Sequence, residues 1–94
     1  MSANVYMKSV LLDTADVWVR LAASPLILNA TFIVRRAGFG ISADPHVQVR
    51  YRGGAAELWP LETQAELTHV DLSEFEFCLG NDMARVFVVA QSGE

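Results

Sequence analysis

In HVQVRYR, His46 to Arg52, apolar and polar side chains alternate without a break: Val47, Val49 and Tyr51 against His46, Gln48, Arg50 and Arg52. Such a period of two puts one set of side chains on each face of an extended strand. The same signature recurs along the chain, in NATFIVRR (Asn29–Arg36), DVWVRLAA (Asp16–Ala23) and LSEFEFCL (Leu72–Leu79). SVLL (Ser9–Leu12), AAELW, AELTHV (Ala65–Val70) and ARVFVVAQ (Ala84–Gln91) complete the set. Gly53-Gly54 and Gly80–Asp82 are read as hairpin turns, and Pro25, Pro45 and Pro60 fall between runs, where a missing N–H does least harm. No segment keeps a helical stripe. About eight short strands at this spacing predict an all-β fold, an antiparallel β-sandwich of jelly-roll-like form, with residues 1–94 as one domain. ARVFVVAQ is apolar on both faces, which places it centrally in a sheet or against another subunit.

Composition raises the question of where the apolar residues go. The chain is 52 % hydrophobic and only 19 % charged over 94 residues, and a domain of this size buries a modest share of its surface. The surplus is expected to be covered between subunits. A lone cysteine, Cys78, excludes an internal disulfide and a multi-cysteine zinc cluster. MSANVYMKSVLL lacks the basic start and long apolar run of a signal peptide, and no stretch approaches the length of a membrane span. The chain is therefore expected to be made in the cytoplasm, with no membrane partner.

Charge is unevenly placed. Residues 1–56 carry Lys8, Arg20, Arg35, Arg36, Arg50 and Arg52 against Asp13, Asp16 and Asp44, a balance of +3. Residues 57–94 carry eight carboxylates, among them Glu57, Glu62, Glu66, Glu74 and Glu76, against Arg85, a balance of −7. A nucleic-acid surface needs clustered basic charge with aromatics free to stack. Here Tyr51 points away from Arg50 and Arg52, Arg35 and Arg36 diverge, and the net charge is −4, so nucleic acid is not expected as a partner. Arg50 and Arg52 are expected across from a Glu74/Glu76 face, within the chain or between copies. Together with Trp59 they form the expected interface set.

Candidate chemistry is sparse. His69, Asp71 and Ser73 project to one side of an extended chain, but alternate residues lie about 6.5–7 Å apart, too far for a relay. Asp71-Leu72-Ser73 reads as a turn or strand-end cap. Asp44/His46 and His69/Asp71 match no zinc or calcium spacing. Cys78, between Phe77 and Leu79 with no basic neighbour, reads as a buried structural thiol. AGFG (Ala37–Gly40) lacks the strand–helix context of a phosphate loop. Trp18 and Trp59 are the candidates for a sugar-stacking platform, with Trp59 beside Pro60 the better surface residue. No catalytic residue, cofactor or metal is expected.

The ordered run VLLDTADVWVRLAASPLIL…VQVRYRGGAAELWPL…LTHVDLSEFEFCLGNDMARVFVVAQ, Val10 to Gln91, resembles small β-sandwich virion structural proteins of tailed bacteriophages. In these an opening strand with a VWVRLA-type partner, a GG hairpin, a VDLS segment and a closing VFVVA-type strand follow in that order. The resemblance implies a non-enzymatic virion component, a capsid decoration (cement) or head-fibre subunit, often trimeric, with other capsid proteins as partners. It carries no binding residue over. The alternative is a carbohydrate- or receptor-binding module of adhesin type.

Overall fold

The computed structural model describes residues 5–38 and 43–92. Phe39 and Gly40 of AGFG lie outside the described residues. Eight strands run in chain order: β1 (Val5–Leu12), β2 (Val19–Arg20), β3 (Ile27–Arg36), β4 (His46–Tyr51), β5 (Glu57–Pro60), β6 (Gln64–Asp71), β7 (Phe75–Leu79) and β8 (Ala84–Gln91). One 3-10 turn, Leu72–Glu74, leads into β7. No helix among the described residues is long and apolar enough to cross a membrane.

The strands form two four-stranded sheets, β1-β8-β3-β6 and β2-β7-β4-β5. Every pairing is antiparallel. The order follows from one long ribbon in which β1 pairs with β8, β2 with β7, β3 with β6 and β4 with β5. Wrapping that ribbon brings β8 onto β3 and β7 onto β4. This is the jelly roll, two Greek keys closed into a sandwich, and the expected fold is observed.

The inner faces follow the alternation. Leu28, Ala30, Phe32 and Val34 of β3 meet Val86, Val88 and Ala90 of β8 from one layer, and Val47, Val49, Phe75 and Phe77 from the other. Phe32 is central, with ring centroids 4.9 Å from Phe75, 5.9 Å from Trp59 and 6.0 Å from Phe77. Burying a phenylalanine this completely stabilises the fold by several kcal/mol, and truncating one costs about 3–5 kcal/mol.

Local deviations have identifiable causes. The strand expected over Asp16–Ala23 contracts to Val19–Arg20, although Leu21 is still fully buried. The Gly53-Gly54 turn sits one residue early. Arg52 and Gly53 take φ of 58° and 68°, and the Gly54 N–H donates to the Tyr51 carbonyl at 3.1 Å. Positive φ at both central residues marks a type I′ turn. Gly80 is required by contact, since a Cβ there would lie 2.0 Å from the His46 carbonyl oxygen.

β6 carries a bulge. Leu28 pairs with Val70 but Ala30 with Leu67, so Thr68 and His69 together oppose Asn29. His69 takes φ of 56°, and its N–H donates to Asn29 Oδ1 at 2.8 Å. The extra residue flips the alternation, so Leu67 and Val70 both reach the core although they are three apart.

Candidate functional site

The two sheets present unlike outer faces. On β2-β7-β4-β5 the cross-strand register places Arg20, Glu76 and Arg50 in one row. Arg50 Nε donates to Glu76 Oε1 at 2.7 Å, and Arg20 lies 3.6 Å from Glu76 Oε2. The indole of Trp18 covers this row, its centroid 4.0 Å from the Arg50 guanidinium carbon. Glu76 and Arg50 are 17 % and 32 % exposed, Arg20 56 %. A half-covered, charge-assisted pair of this kind is stronger than an exposed one.

The expected opposition of Arg50 and Arg52 to Glu74 and Glu76 is thus met within the chain at Arg50 and Glu76. Arg52 and Glu74 meet differently: the Arg52 backbone N–H donates to the Glu74 carbonyl at 3.0 Å. The Arg52 guanidinium lies over the Tyr51 ring, 5.2 Å from its centroid. Cys78, opposite Gln48 in the same sheet, is only 1 % exposed although it alternates outward from Phe77.

The outer face of β1-β8-β3-β6 is apolar across β1 and β8 and polar toward its rim, where Arg35 opposes Arg85 and Glu66 opposes Thr31. Its rows read Met7–Val89–Thr31 and Ser9–Phe87–Ile33, flanked by Val5 and Leu11 on β1. Met7 is 73 % and Val5 63 % exposed, and Leu11, Phe87 and Val89 are exposed as well. β8 is therefore central in its sheet, as its sequence implied, and its second apolar face is open. β1 extends four residues before the Ser9–Leu12 segment predicted, adding Val5 and Met7 to this face. The alternation Val5, Met7, Ser9, Leu11 was the available signal.

A third feature opens between β5 and β6, a groove of about 470 Å³ lined by Tyr51, Trp59, Leu67, Val70 and Phe75. Trp59 is a half-buried residue of the sandwich interior, 5.7 Å from Phe77 edge to face. Trp18 packs on the outer side of the same sheet through Arg50. The two tryptophans thus lie on opposite faces of one sheet and form no joint platform; both are half-buried, and Trp59 lines the groove.

The remaining candidates resolve into structural contacts. Asp71 Oδ1 accepts from the Leu26 N–H at 3.0 Å, the Ser73 N–H at 3.0 Å and Ser73 Oγ at 2.8 Å. The Leu26 amide first, then Ser73, hold this carboxyl below its usual range. Asp71 thus caps the 3-10 turn as its spacing predicts, while the bulge takes His69 out of line. His46 donates its N–H to Asn81 Oδ1 at 2.9 Å, and its Nδ1 lies 2.9 Å from the Asp44 carbonyl. Among the described residues no three His, Cys, Asp or Glu side chains converge as metal ligands.

A scan against family models, a search of curated proteins and a search of solved structures each returned no match for this chain. The class defined by the structure is the fold: a jelly roll with one outer face charged around Arg20, Glu76 and Arg50 and the other apolar across β1 and β8.

Proposed function

We propose that the chain is a non-enzymatic assembly protein, a virion component of capsid decoration or head-fibre type that packs against copies of itself and a capsid lattice. The observation that carries this reading is the exposed apolar face of Val5, Met7, Leu11, Phe87 and Val89. The interior is already filled by Phe32, Phe77, Leu21, Leu72 and the valines around them, so this surface has no internal role. Contiguous apolar patches on small domains mark contact surfaces. The fold by itself does not choose, because jelly rolls serve viral shells and lectins alike. The test is light scattering on the purified chain together with co-sedimentation with phage shells. An oligomer that also sediments with shells supports the proposal. A strict monomer at high micromolar concentration that ignores shells overturns it.

One observation favours the second reading, a carbohydrate- or receptor-binding module: the Tyr51/Trp59 groove has the mainly apolar, aromatic lining common to ligand sites. Titration with oligosaccharides, read by tryptophan fluorescence, distinguishes it. Saturable quenching that is lost in Tyr51→Ala favours that reading over assembly.

A further inference from the structure

A β-sandwich of two open sheets has four edge strands, and each edge offers unpaired backbone N–H and C=O groups to any other strand. Here the edges are β1 and β6 in one sheet, β2 and β5 in the other. Three are protected by recognised devices. β2 is two residues long. β5 is four residues long and ends in Pro60. β6 is interrupted by the Thr68/His69 bulge and carries Glu66 on its outer face. β1 has none of these. It runs eight residues, VYMKSVLL, without proline, glycine or bulge, in unbroken register with β8. Among the described residues no backbone hydrogen bond joins it to any strand but β8.

Its one charge, Lys8, is an edge guard of the inward-pointing kind, but it is engaged within the chain. The Lys8 ammonium donates to the Leu21 carbonyl at 3.0 Å, and the Tyr6 hydroxyl donates to the same oxygen. Both inner-face side chains are thereby drawn toward the short β2. The outer-face residues Val5, Met7, Ser9 and Leu11 are all exposed.

We infer that β1 pairs antiparallel with β1 of a second copy across a two-fold axis, joining two four-stranded sheets into one of eight. This inference rests on the assembly reading above and specifies its contact. The occupant follows from self-complementarity, since an antiparallel strand pair satisfies two-fold symmetry by construction. Side chains directly opposite one another share a face, so odd-numbered residues must oppose odd-numbered ones. Centring the axis on Lys8 would set two ammonium stems opposite each other. Centring it on Ser9 sets Lys8 opposite Val10 and Met7 opposite Leu11, and places the two apolar outer faces side by side.

The area sets the strength. In the Ser9-centred register the seven residues Tyr6–Leu12 pair, a span of about 24 Å. Multiplied by the molecule's smallest extent of 17 Å, that gives about 410 Å² per copy, against about 800 Å² per partner in a stable complex. The pair is therefore weak and concentration-dependent in solution, and dense packing on a shell would complete it. A trimer built through other surfaces is the competing geometry.

Disulfide trapping tests the contact. The native thiol Cys78 is buried, so wild type supplies the blank. Ser9→Cys under mild oxidation is expected to give a covalent dimer, and a mixture of Met7→Cys with Leu11→Cys a mixed dimer. Leu58→Cys, exposed on the other sheet, is the collision control. Reduced variants are first checked for wild-type circular dichroism. The register mixture keeps the test alive should one variant misfold. A dimeric or trimeric mass with no trapping at these positions, or trapping at Leu58→Cys as fast as at Ser9→Cys, overturns the edge contact and leaves the assembly reading standing. A monomer that neither traps nor sediments with shells overturns both.

Discussion

The outer faces of the two sheets are built from the same alternating pattern, yet they serve opposite ends. On β2-β7-β4-β5, Arg20, Glu76, Arg50 and Trp18 satisfy one another within the chain. On β1-β8-β3-β6, Val5, Met7, Leu11, Phe87 and Val89 have no such partners and remain open to water. A charged row that closes on itself contributes to folding. An apolar row left uncovered contributes little to the folded monomer and a great deal to whatever covers it. The difference teaches that polarity alone does not identify the contact surface of a small sandwich; what matters is which face has already met its own needs.

The core between the faces sets the upper bound. Phe32→Ala is expected to cost about 3–5 kcal/mol and, in a domain this small, to abolish both faces together, read as loss of the cooperative thermal transition. Substitution on the apolar face should separate assembly from folding. Met7→Lys is expected to weaken self-association at least tenfold, about 1.4 kcal/mol, with the melting temperature changed only slightly, as is usual for exposed positions. A melting temperature that falls in step with mass would erase the distinction between the faces.

The charged face should show the reverse. Glu76→Ala leaves the half-covered Arg50 without its acceptor and is expected to lower stability by about 1–2 kcal/mol, with the oligomer mass unchanged. Arg20→Ala removes only the exposed arm of the same row and is expected to cost less than about 0.5 kcal/mol. Equal effects of the two, by denaturant titration, would mean that the burial of Glu76 is not what gives the row its strength.

Acid gives the smallest and most diagnostic effect. Asp71 is held below its usual range by the Leu26 amide and then by Ser73. Glu62 is held there by the Arg36 amide and then by Arg35. A carboxyl whose folded pKa is depressed adds stability that is complete above its unfolded value, about 3.9 for Asp and 4.3 for Glu. That stability is lost as pH falls through the lower folded value. The fold is therefore expected to weaken below about pH 4. Asp71→Asn should flatten part of this acid limb and lower the melting temperature by a few degrees at neutral pH. An acid limb unchanged in Asp71→Asn and in Glu62→Gln would assign it elsewhere.

Much of this was legible along the chain, because side-chain alternation is a local property. The strands around Phe32, Val47 and Phe77, the capping role of Asp71 and the burial of Cys78 all follow from neighbours two or three residues apart. The placement of Arg50 against Glu76 was legible as a charge pattern, but not as a pair. Elsewhere local reading failed for local reasons. The bulge at His69 inverted the alternation, and the turn took positive φ at Arg52 before reaching its second glycine. The alternation at Val5 and Met7 is obscured because a tyrosine and a lysine, Tyr6 and Lys8, occupy the inward positions between them.

By itself the sequence determined that the chain forms short extended segments, which side chains share a face, and that apolar residues exceed what a small interior holds. Only the tertiary structure decided which strands become neighbours, and therefore that Trp59 turns inward, that Trp18 lies on Arg50, and that β1 is left as an unpaired edge. The physical reason is range. A period of two is written into adjacent residues. Strand order is settled by pairings such as β1 with β8, between segments far apart in the chain, whose match depends on the whole sandwich closing around one core.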